Sequence, residues 1–206
     1  MKMAKRVFRD VLRPSDESFP RPATGPCGAG AAGRNLFAMV EAVISIRGAR
    51  FGDETGIARV HDEAWREAYR GVIPGRELER MIVRRGPAWW RRAIAGGTRL
   101  IVLDFADAIA GYASYGRNRM PSLSYSGEIF ELYIAPEYQG GGLGRRMFES
   151  AQRDLAAHGY PTFVVWALAG NDRAVGFYRR LGGRIVRRAP EQFGAETCER
   201  VAFGFD

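Results

Sequence analysis

The spacing of hydrophobic residues along the chain changes repeatedly between the period of a helix and that of a strand. Five segments carry apolar residues three or four positions apart, which predicts amphipathic helices, over 53–68, 76–84, 87–95, 144–158 and 171–181. Apolar segments of strand length separate them, over 43–46, 100–103, 108–115, 128–135, 162–168, 184–188 and 197–205. The segment 162–168 is almost wholly apolar, so we expect it to be buried on both faces of a sheet. Asp53 is predicted to cap the first helix.

The first 43 residues are punctuated by proline and glycine. Prolines recur at Pro14, Pro20, Pro22 and Pro26, and residues 27–33 are almost entirely Gly and Ala, which interrupts any regular element. The segment has no continuous apolar stretch beside small residues, as a secretory signal needs. We therefore expect residues 1–43 to form a mostly disordered extension, and residues 44–206 to form one folded domain.

Composition limits the class of protein. Hydrophobic residues make up 46% of the 206 positions and charged residues 26%, the balance of a soluble globular protein. No run approaches the ~18 consecutive apolar residues of a membrane span, so we expect no membrane association and a cytoplasmic location. The two cysteines, Cys27 and Cys198, and the two distant histidines, His61 and His158, provide neither a disulfide framework nor metal-ligand spacing. We predict no metal.

The chain is strongly basic, with 31 Lys and Arg against 23 Asp and Glu, a net charge of +8 and a pI near 10.0. Such a charge raises the question of nucleic-acid binding. The arginines are scattered along the chain rather than grouped in one block, and net charge alone reports on solubility and non-specific attraction. We therefore do not expect nucleic acid to be the main partner, and an anionic cofactor explains the charge more simply.

The most informative segment is a glycine-rich turn between a strand and a helix, PEYQGGGLGRR over 136–146. Glycines let consecutive backbone N–H groups converge because no Cβ lies in the way, and with the helix dipole these groups bind a pyrophosphate. A Walker phosphate loop requires Gly-Lys-Ser/Thr, which is absent, and a dinucleotide fingerprint belongs near the start of a βαβ unit. A third pattern, Q/R-x-x-G-x-G/A, is satisfied by Gln139, Gly142 and Gly144. A tight turn without a ligand is the alternative.

A second motif follows over 171–183, with the sequence NDRAVGFYRRLGG. Its Asn171, Ala174, Phe177-Tyr178 and Leu181-Gly182 resemble the second signature of the GNAT superfamily of N-acetyltransferases. The acetyl-CoA loop of that family has the form Q/R-x-x-G-x-G/A and follows the fourth strand, as the glycine turn does here. The segment 64–74 also resembles the W-x-x-x-Y-x-G-x-x-P first helix of one GNAT branch. The resemblance covers roughly residues 44–206, in the order of the family.

The resemblance implies acetyl-CoA as co-substrate and suggests which residues hold it. The pantetheine arm would follow the backbone of the fourth strand at Leu132, Tyr133 and Ile134, where the fourth and fifth strands diverge. The pyrophosphate would bind the loop and the start of the next helix, through Gln139, Gly140, Gly141, Gly142, Leu143, Gly144 and Arg145. Asn171 and Tyr178 would contact the cofactor from the following helix.

Two positions depart from the family pattern. Gly141 stands where Arg or Lys is usual, so Arg145 or Arg146 must supply that positive charge. Gly183 stands where an aromatic residue commonly follows Leu-Gly, which predicts looser packing after the last helix.

The resemblance also implies that the amine attacks the thioester directly in a ternary complex. Because amines are charged at neutral pH, a carboxylate near the cleft must accept a proton. Glu128 and Glu131 are the candidates; Glu128 matches the catalytic glutamate of the histone acetyltransferase branch, and strand alternation sends the two to opposite faces. Tyr178 matches the family tyrosine that protonates the departing CoA thiolate. The alternatives are solvated strand-end charges for the glutamates and core packing for the tyrosine.

Together these observations predict an α/β fold, with a mixed, mostly antiparallel twisted sheet and helices on both faces. The predicted function is transfer of an acetyl group from acetyl-CoA to a primary amine of a small molecule or a protein N-terminus. The alternative is a non-catalytic acyl-CoA-binding or sensing module on the same fold, which Tyr178 and a strand-four glutamate disfavour. Trp65, Tyr69 and Trp89 are candidates to line the acceptor side, with core packing as the alternative. We expect a monomer or homodimer.

Overall fold

The computed structural model describes residues 44–206; the predicted disordered extension, and Val43 of the first predicted strand, lie outside the described residues. This part of the chain forms β1 Ile44–Gly48, α1 Glu54–Tyr69, α2 Gly75–Val83, α3 Pro87–Ala95, β2 Leu100–Phe105, β3 Ala108–Arg117, β4 Gly127–Ile134, α4 Leu143–Ala157, β5 Phe163–Leu168, α5 Asp172–Arg180, β6 Arg184–Phe193 and β7 Glu196–Phe205. A short 3-10 helix, Pro136–Tyr138, lies between β4 and α4. None of these helices is long and apolar enough to cross a membrane.

The strands form one seven-stranded sheet in the order β1-β2-β3-β4-β5-β7-β6. Neighbouring strands are antiparallel throughout, except for β4 and β5, which run parallel. Helix α4 connects those two strands, as a parallel pair requires a crossover between them. The predicted mixed, mostly antiparallel α/β fold is confirmed.

Helices cover both faces of the sheet because the central strands are apolar on both sides. In β2, Ile101 and Leu103 join a core cluster with Met147 of α4. The intervening Leu100 and Val102 join a separate cluster that includes Ile57 and Val60 of α1 and Trp90 of α3. The alternation of side chains along a strand therefore divides the core into two layers, with α1 and α3 on one face and α4 on the other.

Two predictions about the ends of elements were wrong. Strand β6 continues beyond residue 188 to Phe193, which pairs with Glu196 of β7. Pro190 made the sequence pattern end too early, because proline is usually excluded from strands. It is tolerated here because β6 lies at the edge of the sheet. Asp53 precedes α1 but its side chain does not cap the helix; its carboxylate instead accepts hydrogen bonds from Arg47 at 2.7 Å and from the backbone N–H of Arg50 at 2.8 Å.

An opening in the sheet separates β4 from β5. The two strands pair only from Gly127 with Phe163 to Ile129 with Val165, although β4 continues to Ile134. On its other side, β4 stays paired with β3 as far as Ile134. Within the described sheet, residues 130–134 therefore present one unpaired strand edge to this opening.

Candidate active site

The glycine loop follows the open end of β4 and leads into α4. Gly140 and Gly142 have φ values of +85° and +79°, in the left-handed region that favours glycine. A Cβ added at Gly140, Gly141 or Gly142 would meet no described atom within 4 Å, so the space beside the loop is open. No side chain of the described residues caps α4, whose first N–H groups lack acceptors within the helix. These groups and the helix dipole favour an anion at this position, and we call the loop and the start of α4 the cradle.

The other predicted residues of the loop build the wall and rim of this cradle. Leu143 is buried at the start of α4. A Cβ at Gly144 would lie 3.4 Å from the ring of Phe177, an ordinary van der Waals contact, so Gly144 of α4 packs beside α5. Arg145 is exposed, and its guanidinium lies 3.6 Å from Glu149. The predicted charge at the rim is therefore accessible to an anion on the loop.

Gln139 and Asn171 brace the cradle through their side chains. The Nε2 of Gln139 donates to the carbonyl of Ile134 at 2.9 Å and to Glu67 of α1 at 3.0 Å, while its Oε1 accepts a hydrogen bond from Arg173 of α5. The Oδ1 of Asn171 accepts from the N–H of Ala174 at 3.1 Å and caps α5. In this state both side chains hold the loop and helices in place, and their cofactor contacts stay predictions.

Two tyrosines meet at the opening, and a third, Tyr178, is buried in the core layer on the α4 face. Tyr133 of β4 and Tyr69 of α1 have their hydroxyl oxygens 2.7 Å apart. Tyr178 of α5 is buried; burial raises the pKa of its phenol, and the Tyr69 phenol raises it further. Its ring packs with Phe148 and Phe203 in the core layer on the α4 face of the sheet. A tyrosine keeps its proton below pH ~10, so the phenol is protonated at neutral pH.

A small cleft of about 90 Å³ lies on the α1 side of this opening. Its walls come from β4, β5, β6, β7, α1 and the segments after α1 and β3, through Trp65, Tyr69, Ile73, Arg119, Phe130, Glu131, Tyr133, Trp166, Ala167, Leu168, Glu191, Phe193 and Arg200. Trp65 and Tyr69, two of the three candidates to line the acceptor side, thus line the cleft. Trp89 is not part of the lining; it packs edge-on against Trp90, and Arg85 lies over its ring at 4.6 Å.

The two candidate glutamates occupy different environments. Glu131 lines the cleft and is 7% exposed; its Oε1 pairs with the buried Arg85, and its Oε2 has no hydrogen-bond partner among the described residues. Glu128 is 2% exposed, and Arg119 occupies both of its carboxylate oxygens, through its backbone N–H, its Nε and its Nη2. Of the two, only Glu131 combines a place in the cleft wall with an unused oxygen.

The predicted assignment of Glu128 and Glu131 to opposite faces was wrong because β4 contains a bulge. Its register with β3 passes from Glu131 opposite Ser114 directly to Ile129 opposite Tyr115, which leaves Phe130 as an extra residue. Consecutive side chains Phe130 and Glu131 therefore both line the cleft. Glu131 shares the cleft face with Tyr133, two residues along the strand, and the bulge brings Phe130 beside them.

Four charged residues of the site were not found from the sequence. Arg119 pairs with Glu128, Arg85 with Glu131, and the Nη1 of Arg200 lies 3.0 Å from Glu191. Glu191 is 6% exposed, and burial raises its pKa above the ordinary value for glutamate. These residues come from separate elements, and no local motif marks them.

The described residues contain no group of three or more His, Cys, Asp or Glu that could hold a metal ion. Burial raises the pKa of the Cys198 thiol, whose Sγ lies 3.4 Å from the carbonyl oxygen of Val72. A thiol in that state is a poor nucleophile. The acidic and phenolic groups around the opening are therefore the titratable groups available for chemistry.

Known proteins are similar to this chain in sequence and in fold. It is 28% identical over 163 residues to the uncharacterized N-acetyltransferase YuaI of Bacillus subtilis, covering 79% of this chain and 93% of that protein. An L-methionine sulfoximine/L-methionine sulfone acetyltransferase of Pseudomonas paraeruginosa is 32% identical over 106 residues, which are 50% of this chain and 61% of that protein. The acetyl-CoA complex of the acetyltransferase YncA from Salmonella typhimurium superposes with a TM-score of 0.58 at 18% identity, over 79% of this chain and 93% of that one.

A family model identifies the family of this chain. The model of the acetyltransferase (GNAT) family matches residues 57–183. This range begins in α1 and runs through the opening between β4 and β5, the glycine loop and α5, so it contains both motifs and most of the cleft. The chain belongs to the acetyltransferase (GNAT) family.

Proposed function

We propose that this protein transfers an acetyl group from acetyl-CoA to the primary amine of a small molecule, by direct attack in a ternary complex. One observation carries the proposal: the unpaired edge of β4 runs from the cleft of Glu131 to the uncapped start of α4. An elongated ligand with an anionic end can follow that path. Its reactive end then lies beside a carboxylate and a protonated phenol.

Acetyl-CoA would bring the activated acetyl group, and residues of this chain would hold its other parts. The pantetheine amides can pair with the free edge of β4 at Leu132, Tyr133 and Ile134, as an added strand would. The pyrophosphate suits the loop from Gly140 to Arg145, where added Cβ atoms would occupy the open space. These contacts would orient the thioester toward the cleft.

Glu131 would act as the general base. The ammonium form of an acceptor has no lone pair, so it must lose a proton before it can attack. The unpartnered Oε2 of Glu131 can accept that proton at the cleft wall, while Arg85 holds Oε1 and fixes the carboxylate. The neutral nitrogen then forms a bond to the acetyl carbon.

Tyr178 would assist the departing sulfur. As the carbon–sulfur bond breaks, the electron pair stays on sulfur, and the phenol of Tyr178 supplies a hydrogen bond or a proton to the thiolate. An ordinary tyrosine keeps its proton below pH ~10, and burial raises the pKa of Tyr178 further, so the phenol is in the donor form at neutral pH. Acetylated amine and free CoA thiol are the products.

A small-molecule acceptor is favoured over a protein N-terminus by the size of the cleft, about 90 Å³ with mainly aromatic and apolar walls. The relative from Pseudomonas paraeruginosa is named for two small molecules, L-methionine sulfoximine and L-methionine sulfone, which agrees with this choice. The expected cytoplasmic location and the monomeric or homodimeric state stay predictions.

The test is release of CoA thiol from acetyl-CoA in the presence of a panel of primary amines. Glu131→Gln keeps an acceptor for Arg85 but removes the base, so turnover is expected to fall by ~10²–10⁴, while acetyl-CoA still raises the melting temperature. The loss should shrink for amines of low pKa, which are already neutral.

Glu128→Gln is the matched control, since both oxygens of Glu128 are held by Arg119. It should lower stability more than turnover. A larger turnover loss in Glu128→Gln than in Glu131→Gln would reverse the assignment. Acetyl-CoA binding without thiol release on any amine would instead support the non-catalytic sensing module.

A further inference from the structure

The charges in the cleft wall form pairs that leave some polar atoms without partners. Three lining residues are involved, Glu131, Arg119 and Arg200. Within the described residues, the Oε2 of Glu131, the Nη1 of Arg119 and the Nε of Arg200 are all buried and have no hydrogen-bond partner. Buried charged groups with unused donors or acceptors cost free energy unless a ligand or water satisfies them. The unsatisfied set is one acceptor and two cationic donors.

Aromatic rings fix both guanidinium groups at the wall. Arg119 lies over the ring of Phe130 at 4.2 Å, and Arg200 lies over the ring of Trp166 at 4.2 Å. Stacking holds the plane of a guanidinium while its N–H groups remain free to donate at the edge. Glu128 and Glu191 each hold one side of these groups. Rotation of either arginine out of the wall would break both its contact with the aromatic ring and its ion pair with the glutamate.

We propose, on the basis of the proposed function, that the acceptor is an amino acid with an apolar side chain, whose carboxylate binds Arg119 and Arg200 while its amine binds Glu131. The carboxylate of a zwitterionic amino acid can accept hydrogen bonds from both guanidinium groups. Its ammonium group can donate to the carboxylate of Glu131. The zwitterion satisfies all three unpartnered atoms and adds no net charge to a buried site. Its side chain would pack on Ile73, Leu168 and Phe193, three of the apolar residues in the wall.

Other amines fit this charge pattern less well. A polyamine adds only positive charge beside the guanidinium groups of Arg119 and Arg200, which repel it. A peptide N-terminus and a simple alkylamine both lack a carboxylate next to the amine, so they leave Arg119 and Arg200 unsatisfied. A site that is built to pair a charged group rejects the analogue without that group strongly.

The experiment compares matched acceptors. L-leucine, L-methionine, L-valine and L-phenylalanine are each tested beside their amide and their decarboxylated amine. The first readout is kcat/KM from thiol release, and the second is calorimetric binding to the CoA-loaded protein, which needs no turnover. We expect at least one of the acids to exceed its amide and its decarboxylated amine by ~10²-fold or more in both readouts.

Variants of Arg200 test the assignment directly. Arg200→Gln can still donate to Glu191 but loses the cation, so the KM for the acid should rise toward that of its amide, with little change for the amide. Arg200→Lys keeps the charge and should recover part of the preference. The control is Arg188→Gln on β6, whose ion pair with Glu199 is exposed and which should leave the preference unchanged.

The outcomes separate this inference from the proposed function. Acids that bind in preference to their amides without being acetylated would support the inference and refute the acetyl transfer. Amides and alkylamines acetylated as well as the acids would support the transfer and overturn the inference. Failure of every acid to bind or react would also overturn the inference, as would an unchanged preference in Arg200→Gln.

Discussion

At the scale of single residues, burial decides what each group at the opening can do. Tyr69 and Tyr133 share a hydrogen bond, and burial raises the pKa of Tyr69 to about 12. Burial also raises the pKa of Tyr178. A phenol that keeps its proton is suited to donate to a group that arrives with the substrate.

Tyr178→Phe tests that role with a minimal change of volume. We expect turnover to fall by ~10²–10⁴, the usual contribution of a positioned general acid, and acetyl-CoA affinity to change little because the glycine loop and the β4 edge supply most of the binding. The measurements are single-turnover rate and acetyl-CoA affinity on the same preparation.

Tyr160→Phe is the control, since Tyr160 follows α4 and packs beside Arg99. Core packing predicts a different result for Tyr178→Phe: lower thermal stability with near-normal turnover per folded molecule. That outcome would remove Tyr178 from the mechanism and leave its ring as part of the core with Phe148 and Phe203.

At the scale of elements, the loop between β4 and α4 can be tested without straining the backbone. Gly142 has a positive φ, so any side chain there is strained whatever it contacts. Gly141 has no positive φ, and an added Cβ would meet no atom of residues 44–206 within 4 Å. A side chain at Gly141 therefore fits the free protein but fills the space predicted for the pyrophosphate.

Gly141→Val is expected to leave the melting temperature of the free protein nearly unchanged and to abolish the increase that acetyl-CoA causes. Thermal unfolding with and without acetyl-CoA measures both effects. Gly48→Val is the control, because Gly48 in the edge strand β1 also has open space around it and is remote from the loop in the sheet order. An acetyl-CoA shift of normal size in Gly141→Val would refute the cradle.

The kind and order of elements could be predicted because each repeats a local pattern over many residues. The glycine loop was also visible, since its residues are adjacent in the chain. The bulge at Phe130 could not be predicted, because no residue type marks where one strand gains a residue over its partner. The same holds for Arg85, Arg119 and Arg200, whose ion pairs join residues from 9 to 46 positions apart in the chain and exist only once the sheet has closed.

At the scale of the whole molecule, one buried histidine links the free energy of folding to pH. His61 is fully buried beneath Trp65 and Trp90, with its Nδ1 2.8 Å from the hydroxyl of Tyr112. Burial, and to a smaller degree the charge of Arg85, lowers the pKa of His61 well below 6.5. In the unfolded chain the same side chain takes up a proton near pH ~6.5.

The sign of the pH dependence follows from which state binds more protons. Between pH ~6.5 and the lowered pKa, the unfolded chain binds a proton that the folded protein does not, so the free energy of unfolding rises with pH and falls as the solution is acidified. One proton corresponds to a slope of up to ~1.4 kcal/mol per pH unit. We expect His61→Gln, which keeps a hydrogen-bonding group for Tyr112 but cannot be protonated, to flatten this slope.

Urea unfolding at intervals between pH ~5 and ~7 measures the slope, in a range above most of the titration of carboxylates. His158→Gln is the control, because His158 lies at the exposed end of α4 and bonds only to its own helix; it should retain the slope of the unaltered protein. If His61→Gln kept that slope as well, the histidine would have to be protonated or solvated in the folded protein. The packing of α1 and α3 on the sheet around His61 would then be less tight than the structure shows.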